Sequence, residues 1–446
     1  MKFTLQFLFV LIYINSCFGQ VFETICATEG GPSLKSGELI FIDINEEPIK
    51  HVRTNFIFLR KDDGTGGFQE NNSDHQKYIN DMINEVNNIY SNVPSSYDPT
   101  CYNGSYGVFS DTKIRFDINV MYLNNSAAWN NLNKPWCPVD PNYHLRTLND
   151  QIAQSSQEPT LNVFFTEDEA AFQNIVINQN CPLNNLGFTS VSCSQFPDHD
   201  DSNFNQSIHM RNKFLKYYWM MNCVVDNNCQ NPEWINDPPT AEEAYSWLSQ
   251  GRGMAHELVH IFGYGHVSHN YCPYCLDHLM QNQSCSWGNF ISPEIIGMMH
   301  HALSHTSARK YVPGDTYSNT PIAISENKIW SDNSRIYRGL SVQNGVQFQL
   351  TNELIIPSQV DILVKGTSSF TVSGATIHTP NTSSTLDLIV QENSSLTMTN
   401  STIQNCSVSI QSGALTLDNT IIDISNSGAF SIELGSTLNI NNGEIQ

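Results

Sequence analysis

The chain has 446 residues, enough for two or three domains, and 40% hydrophobic against 14% charged residues marks a folded rather than a disordered composition. A formal charge of −22 argues against nucleic acid and anionic membrane as partners, because both select basic patches.

The first element is a secretory signal over residues 1–19. Lys2 precedes an apolar run from Leu5 to Ile14, and small residues lead to a cut after Gly19. Ile14-Asn15-Ser16-Cys17 offers a rival reading, a lipoprotein-like box that would leave a surface form lipidated at Cys17. No later apolar stretch is long enough to cross a bilayer, so the remainder is expected outside the cell and without a transmembrane segment. Cysteine usage agrees with export. Of 12 cysteines, the ten running from Cys26 to Cys285 form an even set, as disulfides require, and Cys406 stands alone in the tail. The spacing leaves the pairing open.

Residues 20–49 form a short lead containing Cys26, and residues 50–310 mix strand and helix signals. Val52 to Leu59 is a strand candidate, followed by the turn Asp62-Asp63-Gly64-Thr65-Gly66-Gly67. From Asp74 to Tyr90 the residues Ile79, Met82, Ile83, Val86 and Ile89 recur at helical spacing. Ile114 to Leu123 and Leu161 to Phe165 are further strands, and the alternation of Ser207 to Phe214 suits an edge strand. Asp198, Asp200, Asp201 and Asn203 offer oxygen atoms of the kind Ca2+ takes. The glycine of an EF-hand loop is missing, and an acidic loop is the better reading. Thr240 with Glu243 is a capping box, expected to open the helix that carries the chemistry. Another helix should start at Ser292-Pro293-Glu294.

The chemistry lies in His256-Glu257-Leu258-Val259-His260-Ile261-Phe262-Gly263-Tyr264-Gly265-His266, which spells HExxHxxGxxH. On a helix the i and i+4 side chains share a face, so His256 and His260 can present imidazoles to one ion. Gly263 accepts the left-handed conformation that ends a helix, and the turned chain can bring His266 round as third ligand. Zinc suits this nitrogen set and leaves a position for water. Glu257 points to another side of the helix, where it can take a proton from that water and pass it to a leaving amine. Five residues in these fixed positions arise by chance in fewer than about one such chain in ten thousand, which sets aside an accidental order of surface histidines. His269, His278, His300, His301 and His305 are read as spare polar surface. Cys272-Pro273-Tyr274-Cys275 has the spelling of a redox pair, but an exported chain makes structural disulfides the better reading.

This motif resembles that of the metzincin metallopeptidases, whose signature adds a later methionine turn. Asp277-His278-Leu279-Met280 is similar to that turn and would place Met280 beneath the metal. Asn282 stands where some branches carry a tyrosine, so no tyrosine ligand is expected. Leu161 to Phe165 and the stretch from Gly187-Phe188 to Phe196-Pro197 resemble the pappalysin-like (cytophagalysin) branch. The resemblance covers about residues 50–310 and implies an α+β catalytic domain: a twisted mixed sheet over an active-site helix, with substrate added to an antiparallel edge strand. It also implies a latency switch at Cys26, a thiolate held on zinc until the lead is removed. The arginine and glycine expected beside such a cysteine are missing, and the even count argues for a disulfide instead, since a free Cys26 would leave nine others.

Beyond a linker at 311–340, residues 341–446 repeat. An apolar pair at i and i+2 with Ile at i+7 recurs five times, as Phe348/Leu350/Ile355, Phe370/Val372/Ile377, Leu396/Met398/Ile403, Leu415/Leu417/Ile422 and Leu438/Ile440/Ile445. A period near twenty residues with alternating short strands fits an all-β parallel β-helix-like region. The reading is therefore a secreted zinc metalloendopeptidase acting on a protein or peptide substrate, with one Zn2+ and with surface or matrix association through the repeats. Two other classes remain: a surface adhesin whose repeats do the work, and a zinc hydrolase of a non-peptide bond.

Overall fold

The structure is a computed structural model that describes residues 25–26, 44–95, 109–130, 144–167, 191–194, 205–219, 221, 240–248, 251–264, 278–280, 289–380, 385–424 and 428–446. The chain divides into two compact units, one formed by residues up to 40 with 52–302, the other by 41–51 with 303–446.

The first unit is built on a six-stranded sheet. Its strands are β1 (Ile25–Cys26), β2 (Lys50–Arg60), β3 (Ile114–Asn124), β4 (Leu161–Thr166), β5 (Val191–Ser194) and β6 (Ser207–Arg211), in the order β1-β5-β6-β4-β2-β3. β2, β4 and β6 run parallel, β5 is antiparallel to β6, and β1 is parallel to β5. The sheet is mixed, as expected, but β6 is not its edge. β5 lies outside β6, and β1 lies outside β5. Alternation in β6 reports two unlike faces, with Ile208 and Met210 fully buried, and is silent about which strands flank it.

Helices cover both faces, which explains why Asn55-Phe56-Ile57-Phe58-Leu59 in β2 is a nearly continuous apolar run. Ile57 and Leu59 pack with Leu145 of α3 (His144–Ser155), just after the single turn α2 (Ser126–Trp129). Phe58 faces the other way, stacking on Phe165 at 4.3 Å and meeting Phe68 at 5.3 Å. Phe68 in turn stacks on Tyr78 of α1 (Ser73–Ser91). α1 buries Tyr78, Ile79, Met82, Val86, Ile89 and Tyr90, and Asn72 caps it by accepting from the amides of Asp74 and His75.

Three more helices follow α4 (Lys213–Trp219): α5 (Ala241–Leu248), α6 (Arg252–His260) and α7 (Pro293–His305). The capping box is present at α5, where Glu243 accepts from Thr240 N–H at 2.9 Å and Thr240 Oγ1 from Glu243 N–H at 3.2 Å. The helix it opens ends at Leu248, however, and the HExxH residues ride on a separate helix, α6. Gly251 marks the new start. A Cβ there would lie 2.7 Å from the carbonyl of Met82 and 2.8 Å from the nitrogen of Val86, so glycine is what lets α6 approach α1.

The second unit is parallel and all-β. Eighteen strands form three parallel six-stranded sheets, each coil giving one strand to each sheet, as in a β-helix-like repeat. The first coil comprises β7 (Ser318–Ile324), β8 (Lys328–Trp330) and β9 (Ser334–Arg335), the second β10 (Arg338–Val342), β11 (Gln347–Leu350) and β12 (Leu354–Ile355). The described residues thus make six coils rather than five, and half of the stretch expected as a linker, 311–340, is strand. The first coil escaped the pattern because Lys328 and Trp330 stand opposite Phe348 and Leu350, and Ser334 stands opposite Leu354. The inward register Phe348, Phe370, Leu396, Leu415 and Leu438 holds through every later coil. At the third position one correction is needed. Leu354, not Ile355, aligns with Ile377 and is fully buried.

Residues 44–51 and 303–313 close the first-coil end of this unit. Glu47 accepts from Lys50 Nζ at 2.8 Å, and that ammonium lies 4.4 Å from the centre of the Tyr337 ring. Tyr337 donates its hydroxyl to the Leu303 carbonyl, while Arg335 donates to the carbonyls of Arg309 and Val312.

Candidate metal centre

α6 begins where Gly251 O accepts from Ala255 N–H at 2.8 Å. Its position is fixed from α1 by Tyr90, which donates its hydroxyl to the Ala255 carbonyl at 2.9 Å. Burial pushes the Tyr90 phenol well above its ordinary range, so it remains a protonated donor. The other end of α6 is held from the sheet side, where Gln206 Nε2 donates to the Ile261 carbonyl at 2.7 Å. The helix then tightens. Phe262 N–H bonds Val259 O, Gly263 N–H bonds His260 O, and Gly263 adopts φ +87°, the left-handed exit expected of it.

Within this frame His256 is partly exposed, while Glu257 and His260 have no exposed surface. The two imidazoles meet edge to face, with their Nε2 atoms 3.2 Å apart. Each ring is oriented from behind. His256 Nδ1 donates to the Leu279 carbonyl at 2.7 Å, and His260 Nδ1 to the Tyr264 carbonyl at 2.6 Å. A ring nitrogen that gives its proton to a carbonyl leaves the other nitrogen with its lone pair free to ligate. Ligand atoms of His256, Glu257 and His260 all lie within 4.8 Å of one another. The donor set, two convergent imidazole nitrogens beside a carboxylate, could hold a metal ion.

Met280 is fully buried, and its N–H donates to His278 Nδ1 at 3.0 Å. The peptide of Leu279 faces two ways. Its N–H bonds the Phe290 carbonyl at 2.8 Å, and its own carbonyl holds His256. The turn at Leu279–Met280 therefore bears on His256 through backbone. Sequence reasoning missed Leu279 and Tyr264 as orienting groups, because a carbonyl carries no residue-type signal.

The other histidines depart from the expectation of spare polar surface. His278, His300 and His301 are buried, and His300 Nε2 donates to the Thr112 carbonyl at 2.8 Å. His305 is partly buried, its Nδ1 3.1 Å from Ser334 Oγ. Cys26 sits in β1 opposite Ser192, and Cys406 is buried in the repeats with its thiol pushed up to about 12 by burial. His266, His269, Asn282, the acidic stretch Asp198 to Asn203, and Cys272 and Cys275 lie outside the described residues. So do most of the ten cysteines expected to pair.

Compared with models of known protein families the chain matches none, and no curated protein matches it.

Proposed function

We propose that the chain is an exported zinc-dependent metalloendopeptidase of the metzincin type, with His256, His260 and His266 as ligands and Glu257 as general base. One observation carries the reading. Two histidines a helical turn apart bring their Nε2 atoms to 3.2 Å, each with its Nδ1 committed to a backbone carbonyl. Pairs of surface histidines do not need fixed tautomers; ligands do.

Bound there, zinc supplies Lewis acidity toward a water and a scissile carbonyl. The chain's own residues do the rest. His256 and His260 are held rigid by Leu279 and Tyr264, and Met280 forms part of an apolar floor. Glu257, buried beside both rings, accepts a proton and delivers it to the departing amine. An extended substrate would add to the outer edge of β5, where Ile25–Cys26 now pairs with Val191–Ser192. That pairing supports reading the lead as a segment that leaves before cleavage, whether Cys26 belongs to a disulfide or to a latency switch. The repeats then serve spacing or surface association.

Glu257→Ala should bind about one zinc per chain and lose nearly all cleavage of casein or a peptide library. Metal analysis paired with turnover checks this, and full zinc with undiminished turnover sinks the mechanism. Chelator-insensitive cleavage, or none by the intact protein, would favour the adhesin or the non-peptide hydrolase.

A further inference from the structure

An asparagine followed two residues later by serine or threonine is an acceptor for an N-linked sugar, a bulky hydrophilic group that needs a surface turn in an exported chain. Three such triplets follow one another through the fourth coil: Asn393-Ser394-Ser395, Asn400-Ser401-Thr402 and Asn405-Cys406-Ser407. The strands of that coil are Leu386–Gln391, Ser395–Thr399 and Thr402–Ile403, and the next coil opens with Cys406–Gln411. Asn393 and Asn400 therefore stand in the turns at either end of the coil's middle strand, and Asn405 in the turn that leaves the coil.

All three hold left-handed backbone, at φ +58°, +50° and +55°, which asparagine tolerates better than most residues. The turn accounts for the asparagine but not for the hydroxyl two residues on. Asn419 takes the corner of the next coil that Asn400 takes in this one, at φ +49°, yet Ile421 stands there in register with Thr402.

The three triplets differ in their surroundings. Asn393 and Asn400 are exposed. Backbone bonds fix both without help from the side chains: Asn393 N–H donates to the Ser412 carbonyl at 2.8 Å, and Asn400 N–H to the Asp418 carbonyl at 3.0 Å. Among the described residues the Asn393 side chain makes no hydrogen bond, and Asn400 uses only its Oδ1, which accepts from Asn419 Nδ2 at 2.8 Å. Each Nδ2 can thus carry a substituent into solvent. Asn405 is 5% exposed and precedes the fully buried Cys406. A sugar there would take its hydroxyls out of water without partners, which the fold would have to open to avoid.

We propose that Asn393 and Asn400 are N-glycosylated and that Asn405 is not. The donor is an oligosaccharide carried on a lipid diphosphate and met during export. Nδ2 forms a bond to C1 of the first sugar, the C1–O bond to the diphosphate breaks, the lipid diphosphate leaves, and Nδ2 gives up one proton. The two sugars then bracket the strand Ser395–Thr399. Its outward residues Ser395, Thr397 and Thr399 lie beside Ser369, Thr371 and Ser373 on a flat, uncharged stretch of sheet. A partner of the repeats would meet carbohydrate at both rims of that stretch.

The assignment rests on export and not on peptidase action, and its test needs neither metal nor turnover. The full-length chain is expressed in a eukaryotic secretory host and treated with peptide N-glycanase in 18O water, which converts each glycosylated asparagine to labelled aspartate. Peptide mass spectrometry should find the label at Asn393 and Asn400, and none at Asn405 or Asn419. Ser395→Ala, an exchange with Ala414 as its precedent in register, should lose the first label alone. Thr402→Val, beside Ile421, should lose the second alone, and Thr402→Ser should keep it. A folded chain unlabelled at Asn393 or at Asn400, whether recovered from the medium or from inside the cells, overturns that site. Label at Asn405 in a folded chain overturns the argument from burial, and label that survives loss of the hydroxyl overturns the triplet as its cause.

Discussion

Met280 illustrates how single residues support the centre without touching it. It has no exposed surface, and its backbone N–H rather than its sulfur makes the polar contact, to His278. Met280→Ala should therefore behave as a core truncation, losing about 2–5 kcal/mol with zinc retained and activity reduced but measurable. Urea unfolding and metal analysis check this; a folded variant without zinc would give Met280 a more direct role. The same division between side chain and backbone decides what was legible. His256, His260 and Glu257 announce themselves by type and spacing, because i and i+4 share a helix face. The carbonyls of Leu279 and Tyr264 that orient the rings do not. A chain of asparagines was equally silent: exposed Asn119 donates to Asn55, Asn55 to Asn162, and Asn162 to Asn149, crossing from β3 to α3. Asn55, Asn162 and Asn149 are buried, and these bonds satisfy polar groups that burial would otherwise penalise.

Among the elements, periodicity identified those that bury one face. α1, β2, β3 and β4 lie within a few residues of their expected places, as do the core-facing positions of coils three to five, whereas Ile440 of the sixth coil is exposed. It failed where the deciding fact was the neighbour. β6 alternates yet lies inside the sheet, and the expected helix from the capping box through His260 is two helices. Gly251 is the clearest case. Its φ of −70° suits any residue, so only the 2.7 Å approach to the Met82 carbonyl requires glycine. Gly251→Ala should push α6 off α1 and strain the Tyr90–Ala255 hydrogen bond, costing about 1–3 kcal/mol as overpacking does. Because His256 lies one turn beyond, zinc affinity should fall with stability. Denaturant unfolding together with a competitive zinc titration tests the coupling, and unchanged affinity in the destabilised variant would show that α6 keeps its ligand geometry independently of α1.

At the scale of the molecule the division into two units is cleaner in space than along the chain. The divide falls within β2 and within α7, since residues 44–51 group with 303–446. A cut near residue 319 would pass through β7 and leave the carbonyls of Leu303 and Arg309 without Tyr337 and Arg335. Sequence could not reveal this, because a solenoid's end coil has only one neighbouring coil and so need not repeat the apolar register. Metal should separate the units instead. All three proposed ligands lie in 52–302, and among the described residues the repeats hold no group of side chains placed to bind an ion. A ligand that binds only one unit stabilises that unit by mass action, about 2.7 kcal/mol at a hundredfold excess over Kd. For a unit of this size that amounts to roughly 5–10 °C. Calorimetry of the full chain should then show two transitions, of which chelation lowers one and leaves the other in place. A single transition moving as a whole would mean that the coils and the metal-binding unit unfold together, and that the repeats contribute directly to holding the centre in shape.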